Sequence, residues 1–225
     1  MNLLALDTSG DACSAALLLD GDIRQRLETA PRRHGELILP MLDGLLVEAG
    51  IGLHDLDAVA FGRGPGSFTG VRIAVAVTQG IAFGAGLPTA PVSTLAALAQ
   101  GEFRRSGRCR VLAALDARIG EVYWGAFAVD DGGLMAPLGD ELVCPPGEVP
   151  LPEGGDWWGV GAGWAAYTQV LVERLGASLA GMSPEAACEA QDVAWIGAAL
   201  VRSGKLVAPE LAQPVYLRDR VTNRG

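Results

Sequence analysis

The sequence predicts an α/β fold built as two lobes of like topology. Three observations carry this expectation. Short apolar runs ending in polar loops alternate with helical segments through the first hundred residues. A charged stretch with a glycine, Glu102 to Arg110, interrupts that order and reads as a linker. The opening pattern then restarts: VLAALDARIGEVYWGAF, Val111 to Phe127, echoes NLLALDTSGDACSAALL, Asn2 to Leu18. Each copy is an apolar strand, Leu-Asp, a polar loop with glycine, and an alternating strand, so Asp7 and Asp116 hold matching places. Duplication explains the repeat; chance likeness of strand-loop-strand units is the competing reading. The expected lobes are residues 1–104 and 105–225.

NLLALDTS reads as a buried strand, and CSAALLLDGDIRQRLE as a hairpin turning at Asp20-Gly21. In HGELILPMLDGLLVEAG the apolar residues Leu37, Ile38, Met41, Leu42, Leu45, Leu46 and Ala49 follow a helical period, stopped by Gly50. Pro40 is expected to kink that helix, because proline removes a backbone donor. LDAVAFG is a short strand, GVRIAVAVTQGIAFGAG a second helix, LPTAPV a strand, and Ser93 caps a third helix, TLAALAQ. In the second half, DDGG at Asp130 to Gly133 makes another hairpin turn. CPPGEVPLPEGG is a loop, and DWWGVGAGW a strand leading to the helix AAYTQVLVERLG. Ser183, Pro184 and Glu185 together predict a helix start. The tail PVYLRDRVTNRG is polar after Tyr216 and reads as poorly ordered.

Composition excludes some functions. Half of the 225 residues are hydrophobic, enough for a sizeable core. The formal net charge is -9, which opposes unaided binding to a phosphate backbone. The N-terminus reads as lacking a secretory signal. The most apolar stretch, Ile73 to Leu87, falls short of the ~20 residues a membrane span needs. Cys13, Cys109, Cys144 and Cys188 are scattered and read as reduced thiols, so a cytoplasmic setting is expected.

The glycine-rich segment FGRGPGSFTG invites a nucleotide reading, yet it lacks the GxxxxGK[ST] of a P-loop and the GxGxxG of a dinucleotide loop. Two readings stand: a weak anion site at the N-terminus of the helix that follows, or a turn whose glycines let backbones approach closely. Asp7 and Asp116 are open as metal ligands or bases, or as turn residues bonded to nearby backbone. His34 and His54 are the only histidines, and a helix separates them, so HExxH cannot be written. His34 reads as a cap or surface residue in front of its helix. The G-x-S-x-G spacing also fails. No catalytic residue, cofactor or metal is assigned.

The first two helices carry more apolar residues than a half-wet helix needs. Ile73, Val77 and Ile81 lie on one side of the second, with Val75, Ala82, Ala76 and Phe83 around the others. Ala74, Ala76, Gly80 and Gly84 would admit a second helix closely. An interface with another chain is expected, at Leu37, Met41, Leu45, Ile73, Ala76, Val77, Gly80 and Ile81. Cover by the second lobe is the alternative.

LALDTSGDACSAAL, HGELILPMLDGLL, GRGPGSFTGVRIAVAVTQGIAFGAGLPTAPVSTLAALA and LDARIGEVYWGAF together resemble the TsaB (YeaZ) family over residues 1–127, more loosely beyond. The resemblance implies two ribonuclease-H-like lobes of the actin, Hsp70 and sugar-kinase (ASKHA) fold. It also implies a place beside the catalytic paralogue TsaD and the ATPase TsaE in adding threonylcarbamoyl to N6 of adenosine 37 in ANN-reading tRNAs. That paralogue binds its metal through a histidine motif in the helix after the equivalent of LPTAPV. Here Pro91 to Ala99 holds no histidine. The resemblance therefore implies a non-catalytic partner, pairing with itself when isolated and meeting tRNA only through the complex. A stand-alone nucleotide hydrolase or peptidase using the cleft between the lobes is the alternative, favoured if Asp7 and Asp116 face each other there.

Overall fold

The computed structural model describes residues 1–218. Strands β1 (Asn2–Asp7), β2 (Ala12–Leu19) and β3 (Asp22–Thr29) form an antiparallel meander. Asp20 and Gly21 both take positive φ, as the tight turn between β2 and β3 requires. Helix α1 (His34–Ala49) leads to β4 (Ala58–Gly62), α2 (Phe68–Ala85), β5 (Thr89–Val92) and α3 (Thr94–Ser106). Strands β4 and β5 add in parallel, so the first sheet runs β3-β2-β1-β4-β5.

The second sheet repeats this plan. It contains β6 (Arg110–Arg118), β7 (Glu121–Val129), β8 (Met135–Pro137), β9 (Leu142–Cys144), β10 (Trp157–Val160) and β11 (Leu179–Ser183). Its order, β8-β7-β6-β10-β11, has the same antiparallel and parallel pairings as the first. Strand β9 is an addition, pairing with β7 beyond that path. The repeated Leu-Asp therefore marks two copies of one ribonuclease-H-like topology, the two-lobed ASKHA arrangement. Helices α4 (Ala162–Ala166) and α5 (Thr168–Leu175) occupy the place of α2, and α6 (Ala190–Arg202) that of α3.

The last helices of the halves are exchanged. Helix α3 packs on β6, β7 and β8, while α6 packs on β1, β2, β4 and β5. One core cluster consequently spans Leu3, Ala5 and Ala60 of the first sheet, Leu95, Leu98, Val193 and Ala194 of the two helices, and Val111, Ala113 and Phe127 of the second sheet. Residues 104 and 105, where the sequence suggested a division, both lie within α3.

Two expectations are corrected. Glu102 to Ser106 are not linker: they complete α3, and Gly107 at φ 72° ends it. Glu102 is buried, and Arg104 and Arg105 pair with Glu189 and Asp192, so this charge faces α6. Ser183 does not cap a helix; it ends β11, and its hydroxyl accepts from Trp158 Nε1 at 2.9 Å. The helix starts at Ala190, and its first N–H groups are met from the other half: Ala190 donates to Ser14 Oγ (2.8 Å) and Gln191 to Gln25 Oε1 (2.9 Å). Helix α1 runs through Pro40 as one element. In the tail, Arg218 is bonded to the β6–β7 hairpin, and residues 219–225 lie outside the described residues.

Close packing of α6 gives a paired prediction. A Cβ on Gly197 would stand 2.6 Å from Ala60 Cβ and 3.0 Å from Leu3 Cδ2, whereas one on Gly80 meets nothing within 4 Å. Gly197→Val should cost ~1–3 kcal/mol by overpacking. Gly80→Ala should leave stability unchanged or raise it by up to ~1 kcal/mol through helix propensity. Urea midpoints of the two variants check both signs.

Candidate functional site

Between the lobes lies an open cleft of about 1360 Å³. The first lobe lines it with Thr8, Ser9, Arg32, His34, Ser67 and Phe68, the second with Asp116, Arg118, Tyr123 and Ala162. The glycine-rich loop joins β4 to α2 at its edge and is moulded onto the end of β1. A side chain on Gly66 would place its Cβ 2.6 Å from Ser9 O, and Cβ atoms on Gly62 and Gly70 would collide with Asp7 Oδ2 and Thr8 O. Ser67 N donates to Ser9 O at 2.7 Å, and Thr8 Oγ1 donates to Gly70 O at 2.6 Å. Close backbone approach is thus what these glycines allow. Ser67 caps α2, its hydroxyl accepting from Gly70 N.

Several polar groups at the cleft, the Thr8, Ser9 and Ser67 hydroxyls and His34, are bonded within the structure. Ser9 donates both its N–H (3.0 Å) and its hydroxyl (2.8 Å) to Asp7 Oδ1. His34 is not in front of its helix but is the first residue of α1, buried, with Nε2 2.9 Å from Gly10 O. Asp7 itself is 1 % exposed and does not line the cleft. Asp116 does line it. Its Oδ1 accepts from Arg118 N (2.8 Å) and Tyr167 Oη (3.3 Å), and Arg118 pairs with Oδ2 at 3.0 Å. The two aspartates close equivalent turns and are not a facing pair. Among the described residues, no three or more His, Cys, Asp or Glu side chains gather as a metal site.

Helices α1 and α2 lie on the far side of the first sheet. Alternation along β1 decides this: Leu3 and Ala5 face α6 and the second lobe, Leu4 and Leu6 face α1 and α2. The second lobe therefore does not cover these helices. Their inward stripes are Ile38, Met41, Leu42, Leu45 and Leu46 on α1, and Val71, Ala74, Val75, Thr78 and Ala82 on α2. What remains outward mixes charge, Glu36, Asp43 and Glu48 on α1 and Arg72 on α2, with exposed apolar residues. Leu39 is 52 % exposed, Val47 70 % and Phe83 76 %, with Ala76, Gly80 and Gly84 exposed beside Phe83. Helix α2 is 18 residues long with a mean hydropathy of 1.3, apolar enough by length and composition to cross a membrane.

The eight residues singled out for an interface divide. Ala76 and Gly80 are on the outer face; Leu37, Ile73, Val77 and Ile81 are half-buried at its edges. Met41 (8 % exposed) and Leu45 (1 %) belong to the lobe's own core, because they point at the sheet. Leu39, Val47 and Phe83 were passed over. Their signal was weaker than the main stripe: Leu39 and Val47 flank the charged Asp43 on α1, and Ala76, Gly80 and Phe83 follow one another along α2.

The fold and cleft define a two-lobed ASKHA-type chain, and comparison with known proteins narrows it. A family described as "TsaD: tRNA N6-adenosine threonylcarbamoyltransferase" matches residues 28–223. The TsaB protein of Escherichia coli, named for tRNA threonylcarbamoyladenosine biosynthesis, is 44% identical, with 98% of this chain and 96% of that protein covered. Its counterpart in Haemophilus influenzae is 40% identical over 99% and 95%. A solved structure, YeaZ from Pseudomonas aeruginosa, superimposes with a TM-score of 0.90 at 46% identity, covering 96% and 99%. A threonylcarbamoyltransferase of Chlorobaculum tepidum is 34% identical over 41% of this chain and 31% of its own length. The chain belongs to the TsaB (YeaZ) family.

Burial pushes the Asp7 carboxyl up from its ordinary range, against the Ser9 bonds and weaker help from Cys188 and His34. Its Oδ2 has no hydrogen-bond partner. A raised folded-state value means that this group stabilises the fold below the ordinary carboxyl range and withdraws that stability as pH rises through the raised value. Asp7→Asn keeps an oxygen for Ser9 without the charge. It should melt at or above the wild-type temperature at pH 7, with the difference shrinking as the pH is lowered. Melting curves across that range check this; a lower melt at pH 7 with no pH trend contradicts it.

Proposed function

We propose that this chain is a non-catalytic partner subunit in the addition of threonylcarbamoyl to N6 of adenosine 37 of ANN-reading tRNAs. It docks through the outer face of α1 and α2 on a TsaD-like catalytic subunit, works beside a TsaE-like ATPase, and meets tRNA only through that assembly. In isolation the same face pairs two copies of the chain. The observation that carries this is the apolar outer face, which both the sheet and the second lobe leave uncovered. The relatives named for threonylcarbamoyladenosine biosynthesis match nearly full length, and the TsaD description fits most of the chain, which supports a like-folded partner with a matching helix pair. The net charge of -9 speaks against a free-standing tRNA binder.

One similar structure is described by its likeness to a peptidase, and the open cleft gives that reading its only footing. The hydroxyls of Thr8 and Ser9 donate to Gly70 O and Asp7, and His34 is turned to Gly10 O. No nucleophile-base pair is assembled from them.

Gly80→Leu fills the notch beside Phe83 and should weaken association with the TsaD-like subunit by about one to two decades, from ~1–3 kcal/mol of overpacking. The melting temperature should stay near wild type, because Gly80 faces open space. Sedimentation of the mixed subunits, with tRNA modification by the reconstituted set, checks both. Wild-type association by Gly80→Leu, or full tRNA modification without this chain, defeats the proposal.

A further inference from the structure

Residues 212–218 cross from one lobe to the other at the cleft mouth. Ala212 is fully buried against the first lobe, and its carbonyl accepts from Gln79 Nε2 at 2.9 Å. Val215 donates its backbone N–H to Arg63 O at 2.8 Å. Tyr216 Oη accepts from Arg72 Nε at 2.9 Å, and its ring stands 5.8 Å from that of Phe68. The Arg72 guanidinium lies 3.7 Å over the Phe68 ring, completing a stack. All of these partners belong to the first lobe. Two residues on, Arg218 reaches the β6–β7 turn of the second. Its guanidinium donates to Ala117 O at 3.1 Å and Arg118 O at 3.4 Å, and pairs with Glu121.

We propose that this segment is a strap that fixes the spacing of the two lobes and releases at Arg218. Its anchors are unequal. The first-lobe end is held by a buried residue, a backbone bond and an aromatic-arginine stack, which cannot all let go cheaply. Among the described residues, the second-lobe end is held through the Arg218 side chain, 20% exposed. The turn it holds is itself strained. Arg118, Ile119 and Gly120 all have positive φ, at 63°, 55° and 77°, a costly conformation for β-branched Ile119. Ile119 is 82 % exposed, so its own packing does not pin the turn. Arg218 binds the carbonyls of Ala117 and Arg118 from outside and does pin it. Tyr216 and Arg218 both line the cleft, so release also changes its wall.

Hydrogen exchange on the full chain tests this with Arg218→Ala and Arg218→Lys. In Arg218→Ala, the amides of residues 118–121 should exchange about tenfold faster or more, because losing charge-assisted hydrogen bonds raises local opening by about a decade, while Val215, held by Arg63 of the first lobe, keeps its wild-type rate. Amides of β1 and β4 should keep wild-type rates. Arg218→Lys should fall between, since it retains the charge opposite Glu121 and loses the fork. Wild-type rates at 118–121 in Arg218→Ala overturn the strap. So does an acceleration that spreads equally into β1 and β4, which makes Arg218 a residue of general stability. Should Arg218→Ala fail to fold, Glu121→Gln carries the same test: faster exchange in the same segments supports the strap, and unchanged rates overturn it.

Discussion

Helix α6 has to leave its own half and lie against the first sheet, and most of the architecture follows from this. Its N-terminal donors are met by Ser14 and Gln25, side chains of the first lobe. Its fully buried Asp192 accepts two bonds from Arg104 of α3, at 2.9 and 3.0 Å. A buried carboxylate without such a partner would be strongly destabilising. Gly197 lets the helix backbone come down onto Ala60 and Leu3. With α3 making the reverse crossing, the two lobes share one core and neither sheet's inner face is left to solvent.

That arrangement decides which helices lie on the outside of the first lobe. The inner face of the first sheet is taken by α6, so α1 and α2 are confined to the outer face, where residues 209–216 lie against part of α2. Their inward stripes satisfy the sheet, and Leu39, Val47 and Phe83 are left exposed among the described residues. The cleft is a different kind of feature. Its glycine loop, capped helix and paired turn aspartates are held by internal hydrogen bonds.

Much of this was legible in the sequence, and the gaps have physical causes. Period-2 and helical patterns, the Asp20-Gly21 turn and the Leu-Asp echo predicted the first sheet, the β6–β7 start of the second and their duplication, because these signals are local, while β9 and β11 were not read as strands. The helix exchange was not legible: Glu102, Arg104 and Arg105 look like solvated linker charge until Glu189 and Asp192 are brought to them across the fold. Ser183-Pro184-Glu185 carries a correct local helix signal, overridden by the parallel pairing of β11 and the span needed to reach the first sheet. On the candidate face the sequence showed surplus apolar residues on the right two helices. It could not say which side of each met the sheet, so Met41 and Leu45 were placed outward and Phe83 was passed over.

The central claim is that the outer face of α1 and α2 is where this chain meets its catalytic partner. Hydrogen exchange of the chain with and without the TsaD-like subunit reads this directly. Slowed exchange confined to α1 and α2, with β6, β7 and the cleft turn at 118–120 unchanged, is the predicted result. Protection centred on the cleft or the second sheet, with α1 and α2 unaffected, would contradict it.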